Sequence, residues 1–118
     1  MTVYEYNRRP AIVNIEHYLG DDFLETITLN LDLTGCSAKF TVKTSRTAST
    51  NLAQDTITES GMTIDTGTPS TDVLVLITDA EQATWEAGEY VYDFEITHAD
   101  GTMRTYLTGK FSVLADVS

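Results

Sequence analysis

The chain has 118 residues, 18 acidic against 7 basic side chains, a formal net charge of −11 and a single cysteine, Cys36. That length makes one domain, which buries roughly 65% of its unfolded surface and so needs no covalent staples. One cysteine excludes an internal disulfide framework and a multi-cysteine zinc site, and the acidity argues against nucleic acid and anionic membranes as partners.

Thr, Val, Ile, Tyr and Phe are plentiful and there are two prolines, a composition that favours strands. No apolar run approaches the roughly 20 residues of a membrane span, and the N-terminus lacks the apolar core of a signal peptide. Residues 1–10 read as an extended arm, because Pro10 disfavours helix at Arg9. The arm carries net +1 and the remainder −12. Residues 11–118 read as the folded domain. Its first strand is expected over 11–19, with Val13 and Ile15 on one face.

After the Gly20-Asp21-Asp22 turn, residues 23–31 alternate, with Phe23, Ile27, Leu29 and Leu31 on one face and Glu25 interrupting it. Residues 36–44 alternate strictly. Cys36, Ala38, Phe40 and Val42 face the core, while Lys39, Thr41 and Lys43 face water, the pattern of a half-buried antiparallel strand. Residues 45–55 read as the longest loop. Residues 56–65 are expected to form a hairpin turning at Ser60-Gly61, with Ile57 opposite Ile64. The run VLVLI at 73–77 marks a central strand whose core face the pattern leaves open. Residues 79–84 suit a single helical turn capped by Asp79.

The stretch WEAGEYVYDFEITHADGT, residues 85–102, carries the strongest signals. Asp100-Gly101 suits a two-residue turn, which pairs Tyr90 with Phe111, Tyr92 with Gly109, Phe94 with Leu107, Glu95 with Tyr106 and His98 with Met103. Asp93 and Glu95 then face away from the core, with Glu95 and Arg104 as diagonal neighbours. Gly88-x-Tyr90-x-Tyr92 has the form of a tyrosine corner, in which a hydroxyl bonds backbone across a sandwich end. About seven strands without a real helix predict an all-β, immunoglobulin-like antiparallel β-sandwich.

The chemistry points away from an enzyme. His17 and His98 lie on different strands, with no nucleophile elbow and no visible nucleophile–His–acid set. Cys36 reads as core filler. Asp21-Asp22 reads as a solvated turn ahead of a cation site, and no spaced calcium loop or glycine-rich phosphate cradle is present. No cofactor is expected. Trp85 reads as a plug at the end of the sandwich. The candidate contact residues are Tyr4, Tyr6, Arg8 and Arg9 on the arm and Tyr106 on the outer face of the last hairpin, because exposed aromatics and Arg are enriched at interfaces.

The segments GDDFLETITLNLDLTGCSAKFTVK and VLVLITDAEQATWEAGEYVYDFEITHADGTMRTYLTGKFSVL carry a resemblance. In their order of features ("DLTG", "LVLIT", "AGEYVYDFEI", D-G, "GKFSV"), residues 12–114 resemble small phage-encoded immunoglobulin-like domains such as the N-terminal domain of phage baseplate upper proteins. The resemblance implies a structural module with no catalytic residues. The expected function is therefore that of a non-enzymatic structural protein of a tailed-phage virion, in tail, baseplate, neck or capsid. It would be made in the host cytoplasm and bind other virion proteins as a homo-oligomer or symmetric array. The alternative is a glycan or host-surface binding module.

Overall fold

The computed structural model describes residues 11–48, 51–67 and 69–115. Among these, nine strands follow in chain order: β1 (Ala11–Ile12), β2 (Ile15–Tyr18), β3 (Phe23–Leu29), β4 (Ser37–Lys43), β5 (Ala53–Ile57), β6 (Met62–Asp65), β7 (Ser70–Ile77), β8 (Gly88–Thr97) and β9 (Met103–Leu114). Among the described residues two 3-10 turns, Glu59–Gly61 and Ala80–Gln82, connect them.

One sheet has the order β1-β9-β8-β4-β5, with β2 also on β9; the other has the order β3-β7-β6. β1 and β2 run parallel to β9, and every other pairing is antiparallel. The chain changes sheet between β2 and β3, β3 and β4, β5 and β6, and β7 and β8. This Greek-key order places two packed sheets as in an immunoglobulin-like sandwich of variable type, with β5 as the added strand beside the central β4.

The alternation read from the sequence builds the core. Ala38, Phe40 and Val42 of β4 and Tyr92, Phe94 and Ile96 of β8 are all buried, facing Val73, Val75 and Ile77 of β7. The register Phe40↔Phe94 and Phe94↔Leu107 puts Phe94 at the middle of the larger sheet. In VLVLI the odd positions turn inward, which leaves Leu74 and Leu76 on the outer face. Cys36 is a buried free thiol.

Several local expectations need correction, and the loop expected over 45–55 gives up residues 53–55 to β5. The first strand is split at Val13-Asn14, so Val13 is exposed while Ile15 is half-buried. Residues 56–65 form no hairpin: β5 pairs with β4 and β6 with β7, so Ile57 lies opposite Ala38 and Ile64 opposite Thr71. The segment crosses between sheets through a 3-10 turn because both edge strands then find a longer partner. The turn at 80–82 is capped by Thr78, with no side-chain cap from Asp79. Thr78 Oγ1 accepts the Glu81 N–H at 3.3 Å, and Glu81 Oε1 accepts the Thr78 N–H at 3.3 Å, a reciprocal capping box.

The last hairpin has a three-residue loop. Gly101 N–H donates to His98 O at 2.8 Å, and Gly101 takes φ +90°. The loop is a tight turn followed by a left-handed glycine. The expected register holds from Tyr90 to Phe94 and then slips by one at a bulge, so Glu95 faces Thr105 and Ile96 faces Arg104. Glu95 and Arg104 are not the expected diagonal pair. The ion pairs among the described residues are Arg46–Asp93 and Lys110–Glu89.

Candidate functional site

At the hairpin end of the sandwich the bulge re-aims Tyr106. It is half-buried, not on the open outer face expected for it, and its hydroxyl lies 3.0 Å from His98 Nε2. His98 Nδ1 in turn lies 4.0 Å from Cys36 Sγ, which also approaches Thr34 O at 3.8 Å. A nucleophile and its base sit within about 2.6–3.2 Å; the looser thiol–imidazole spacing and the buried thiol make this chain of groups a structural tie. Asp32 and Asp100 cap the neighbouring turns. Hydrogen bonds from Thr34 and Thr102, respectively, hold both carboxyls below the usual carboxylate range.

At the opposite end a buried polar network sits among aromatic rings. Gln82 is 3% and His17 7% exposed. Gln82 Nε2 donates to Asp21 O and Ile77 O at 2.9 and 3.1 Å. Its Oε1 is left as the acceptor for His17 Nε2 at 2.9 Å, so that nitrogen carries the proton. Trp85 is buried edge-on against Phe111, the plug expected for it. Its Nε1 is the buried side-chain polar atom without a partner among the described residues. Beside it, Tyr90 Oη donates to Glu86 O at 2.6 Å, the tyrosine corner read from Gly88-x-Tyr90.

Tyr92 stands two residues further on, where antibody domains place the second cysteine of their inter-sheet pair. Here its ring stacks on Phe40 at 5.0 Å, and its hydroxyl donates to Val13 O at 2.6 Å. Burial first, and the neighbouring Asp93 charge second, push its hydroxyl up to about 12. The folded state therefore keeps this proton to higher pH than the unfolded chain. The stability it contributes is complete below pH 10 and is lost as pH rises from about 10 to about 12. Two units at about 1.36 kcal/mol each set a ceiling near 3 kcal/mol, and partial solvent screening reduces it to about 1–2. Tyr92→Phe is expected to flatten this alkaline loss, measured by urea unfolding between about pH 9 and 12.

The outer face of the three-stranded sheet carries an apolar patch among Thr26, Thr28, Thr63 and Asp72. Leu24 (58% exposed), Leu74 and Leu76 lie together, Leu24 opposite Leu76 and Leu74 opposite Thr26. A shallow hollow of about 280 Å³ adjoins it, lined by Thr26, Ser60, Met62, Asp72 and Leu74 among others. Alternation does not reveal this patch, because VLVLI has apolar residues on both faces and hides which is spare. Tyr4, Tyr6, Arg8 and Arg9 lie outside the described residues. Asp21-Asp22 is committed locally: Asp22 Oδ1 accepts the Asp79 N–H at 2.8 Å. No group of three or more His, Cys, Asp or Glu among the described residues is placed to hold a metal ion, and no helix among them is long and apolar enough to cross a membrane.

No family model and no curated protein matches the chain. Among solved structures it is similar to the extracellular domain of the voltage-gated sodium channel beta4 subunit, at 12% identity and a TM-score of 0.40, over 92% of this chain and 96% of that one. The beta4 domain is described as a parallel homodimer with a role in cell–cell adhesion. The immunoglobulin-like assignment of the present chain rests on its own strand order.

Proposed function

We propose that the protein is a non-enzymatic structural component of a tailed-phage virion that binds other virion proteins in symmetric copies. The observation that carries this reading is the exposed leucine face of β3 and β7 on a domain whose core is already complete. Leu24, Leu74 and Leu76 are neighbours across the strands, the arrangement of a contact surface and not of scattered surface apolar residues. The buried His, Cys and Tyr groups are spent on internal hydrogen bonds, which leaves no convergent catalytic set among them. A glycan platform needs several open stacking rings side by side, whereas Trp85 is buried, Tyr106 is half-buried on His98, and Tyr18 is the exposed aromatic among the described residues.

Imaging of purified particles from the encoding genome, with the protein tagged, is expected to show density at regularly repeated positions. Absence of the protein from purified particles would overturn the reading. Leu24→Lys with Leu76→Asp replaces the exposed pair by an opposite-charge cross-strand pair, within about ±0.5 kcal/mol of the parent stability. It is expected to cut incorporation at least about tenfold, equivalent to about 1.4 kcal/mol of binding.

A further inference from the structure

We propose that the leucine face of β3 and β7 docks, head to tail, on the outer face of the larger sheet of a second copy of the chain. This rests on the assembly reading above and names the surface that receives the leucines. The charge of the domain is divided between its two sheets. β3, β6 and β7 contain no Lys or Arg and carry Glu25, Asp65 and Asp72. The five Lys and Arg side chains among the described residues lie on or beside β4 and β9. Four of them, Lys39, Lys43, Arg46 and Lys110, belong to the outer face of the larger sheet. They balance Glu16, Glu89, Asp93 and Glu95 there, so the excess negative charge of the described residues lies elsewhere.

The receiving face is apolar in its middle and cationic beside it. Lys43, Val91 and Lys110 form one row across β4, β8 and β9, with Val91 half-buried. Ile12 stands beside Thr108 on the same face and is 78% exposed. Arg46 lies over this region, donating to Asp93 Oδ1 at 3.3 Å and to Thr108 Oγ1 at 2.6 Å. The ion pairs on this face are Arg46–Asp93 and Lys110–Glu89; Lys39 and Lys43 take part in neither. Lysine stems extend an apolar surface while their ammonium groups reach its rim. The leucine face is the complement. Leu74 and Leu76 lie on β7 between Asp72 and, just past the strand end, Asp79, with Leu24 alongside on β3.

Charge also rules against pairing like faces. Leucine face on leucine face would bring Asp72 and Asp65 of both copies into one contact, and β3, β6 and β7 offer no cation to meet them. Such like-charge juxtaposition is costly. The larger sheet paired with its own copy would leave the leucines in water. Only the unlike pairing buries Leu24, Leu74 and Leu76 against Val91 and Ile12 and sets carboxylates against Lys43 and Lys110. Leucine burial supplies the attraction and the charges fix which faces meet. The outer faces of two packed sheets point in opposite directions, so each copy spends one face on each neighbour. Copies then add in one direction until a ring closes or a different protein caps the end.

The test is sedimentation of the full chain and of two double variants over a range of concentrations. The parent should associate beyond the dimer as concentration rises. Lys43→Glu with Lys110→Glu disables the receiving face, and Leu24→Lys with Leu76→Asp disables the leucine face. Each variant alone should stay monomeric. Mixed, they should form a one-to-one dimer and nothing larger, because each brings one intact face and the pair then has no matching faces left. Self-association of the lysine variant would put leucine face against leucine face and overturn the proposal. Self-association of the leucine variant would overturn it equally, as would a mixture that stays monomeric while both variants unfold in urea at the parent's midpoint. The milder Lys43→Gln with Lys110→Gln should weaken association at least about tenfold, and unchanged association overturns the proposal. A parent that stays monomeric up to about 1 mM yet enters particles removes the head-to-tail contact and leaves the assembly reading standing.

Discussion

Phe94→Ala is expected to lower the stability of the folded domain by about 3–5 kcal/mol, the range for truncating a buried Phe. Phe94 is fully buried, opposite Phe40 on β4 and Leu107 on β9. The strands on both sides are held in ladders, so the sheet has little freedom to close the void. The facing β7 contributes Val73, Val75 and Ile77, all fully buried and of fixed shape. Residual cavity volume therefore adds to the lost transfer energy. Phe94→Leu should cost distinctly less. Urea unfolding of the two variants measures the difference at constant slope. A loss below about 1 kcal/mol for the Ala variant would place this face of β8 outside the core.

That face was legible because β8 and β9 alternate cleanly, and a one-residue slip would turn Phe94, Tyr92 and Phe111 out to water. The local departures have a common cause: each is decided by one residue that hydrophobic alternation does not see. Tyr106 becomes an extra residue in β9 because the loop takes three residues, Ala99 to Gly101, so that a glycine occupies the left-handed position. Both faces at Tyr106 are then partly apolar, and pattern alone does not show where the compensating bulge falls. Ile57 and Ile64 look like cross-strand partners because both flank Ser60-Gly61. Ala38 and Thr71, from opposite sheets, were the better partners, and long-range pairing of that kind leaves no local trace.

The candidate surface was less legible than the core. The sequence marks exposed charge and buried alternation well, but an exposed Leu within VLVLI looks like a buried one. Strict alternation puts Tyr106 on the outer face, and the bulge moves it onto His98. Tyr90 and Trp85 were legible because the spacing from Gly88 ties each to the same corner of the sandwich. Glu25 interrupts an apolar face, and it is exposed on β3 where alternation alone would place a buried side chain.

Gly109→Ala is expected to destabilise the protein by about 2–4 kcal/mol, combining a close-packed clash with a lost half-buried hydrogen bond. Ordinarily the sign would be the opposite, since Ala in place of Gly inside a strand gains about 0.5–1 kcal/mol. Gly109 does not take a positive φ, so backbone strain does not decide the case. Space does. An added Cβ would overlap the Val13 carbonyl oxygen and lie 2.9 Å from its carbon and 3.1 Å from Asn14 Oδ1. The first two of those neighbours are backbone, held by Val13 N–H donating to Thr108 O at 2.9 Å. Asn14 Oδ1 also replaces a ladder partner, accepting the Lys110 N–H at 3.1 Å. Because Gly109 has no side chain, Tyr92 opposite it can reach across and donate to Val13 O. The split between β1 and β2 is thus the form the first strand takes to pass over Gly109. Moving it strands the Tyr92 hydroxyl in a half-buried site and loosens β1 from β9. Gly109→Ala should therefore lose stability, measured by urea unfolding near neutral pH. A variant as stable as the parent would show that the Val13 carbonyl yields freely and that the split strand does not depend on Gly109.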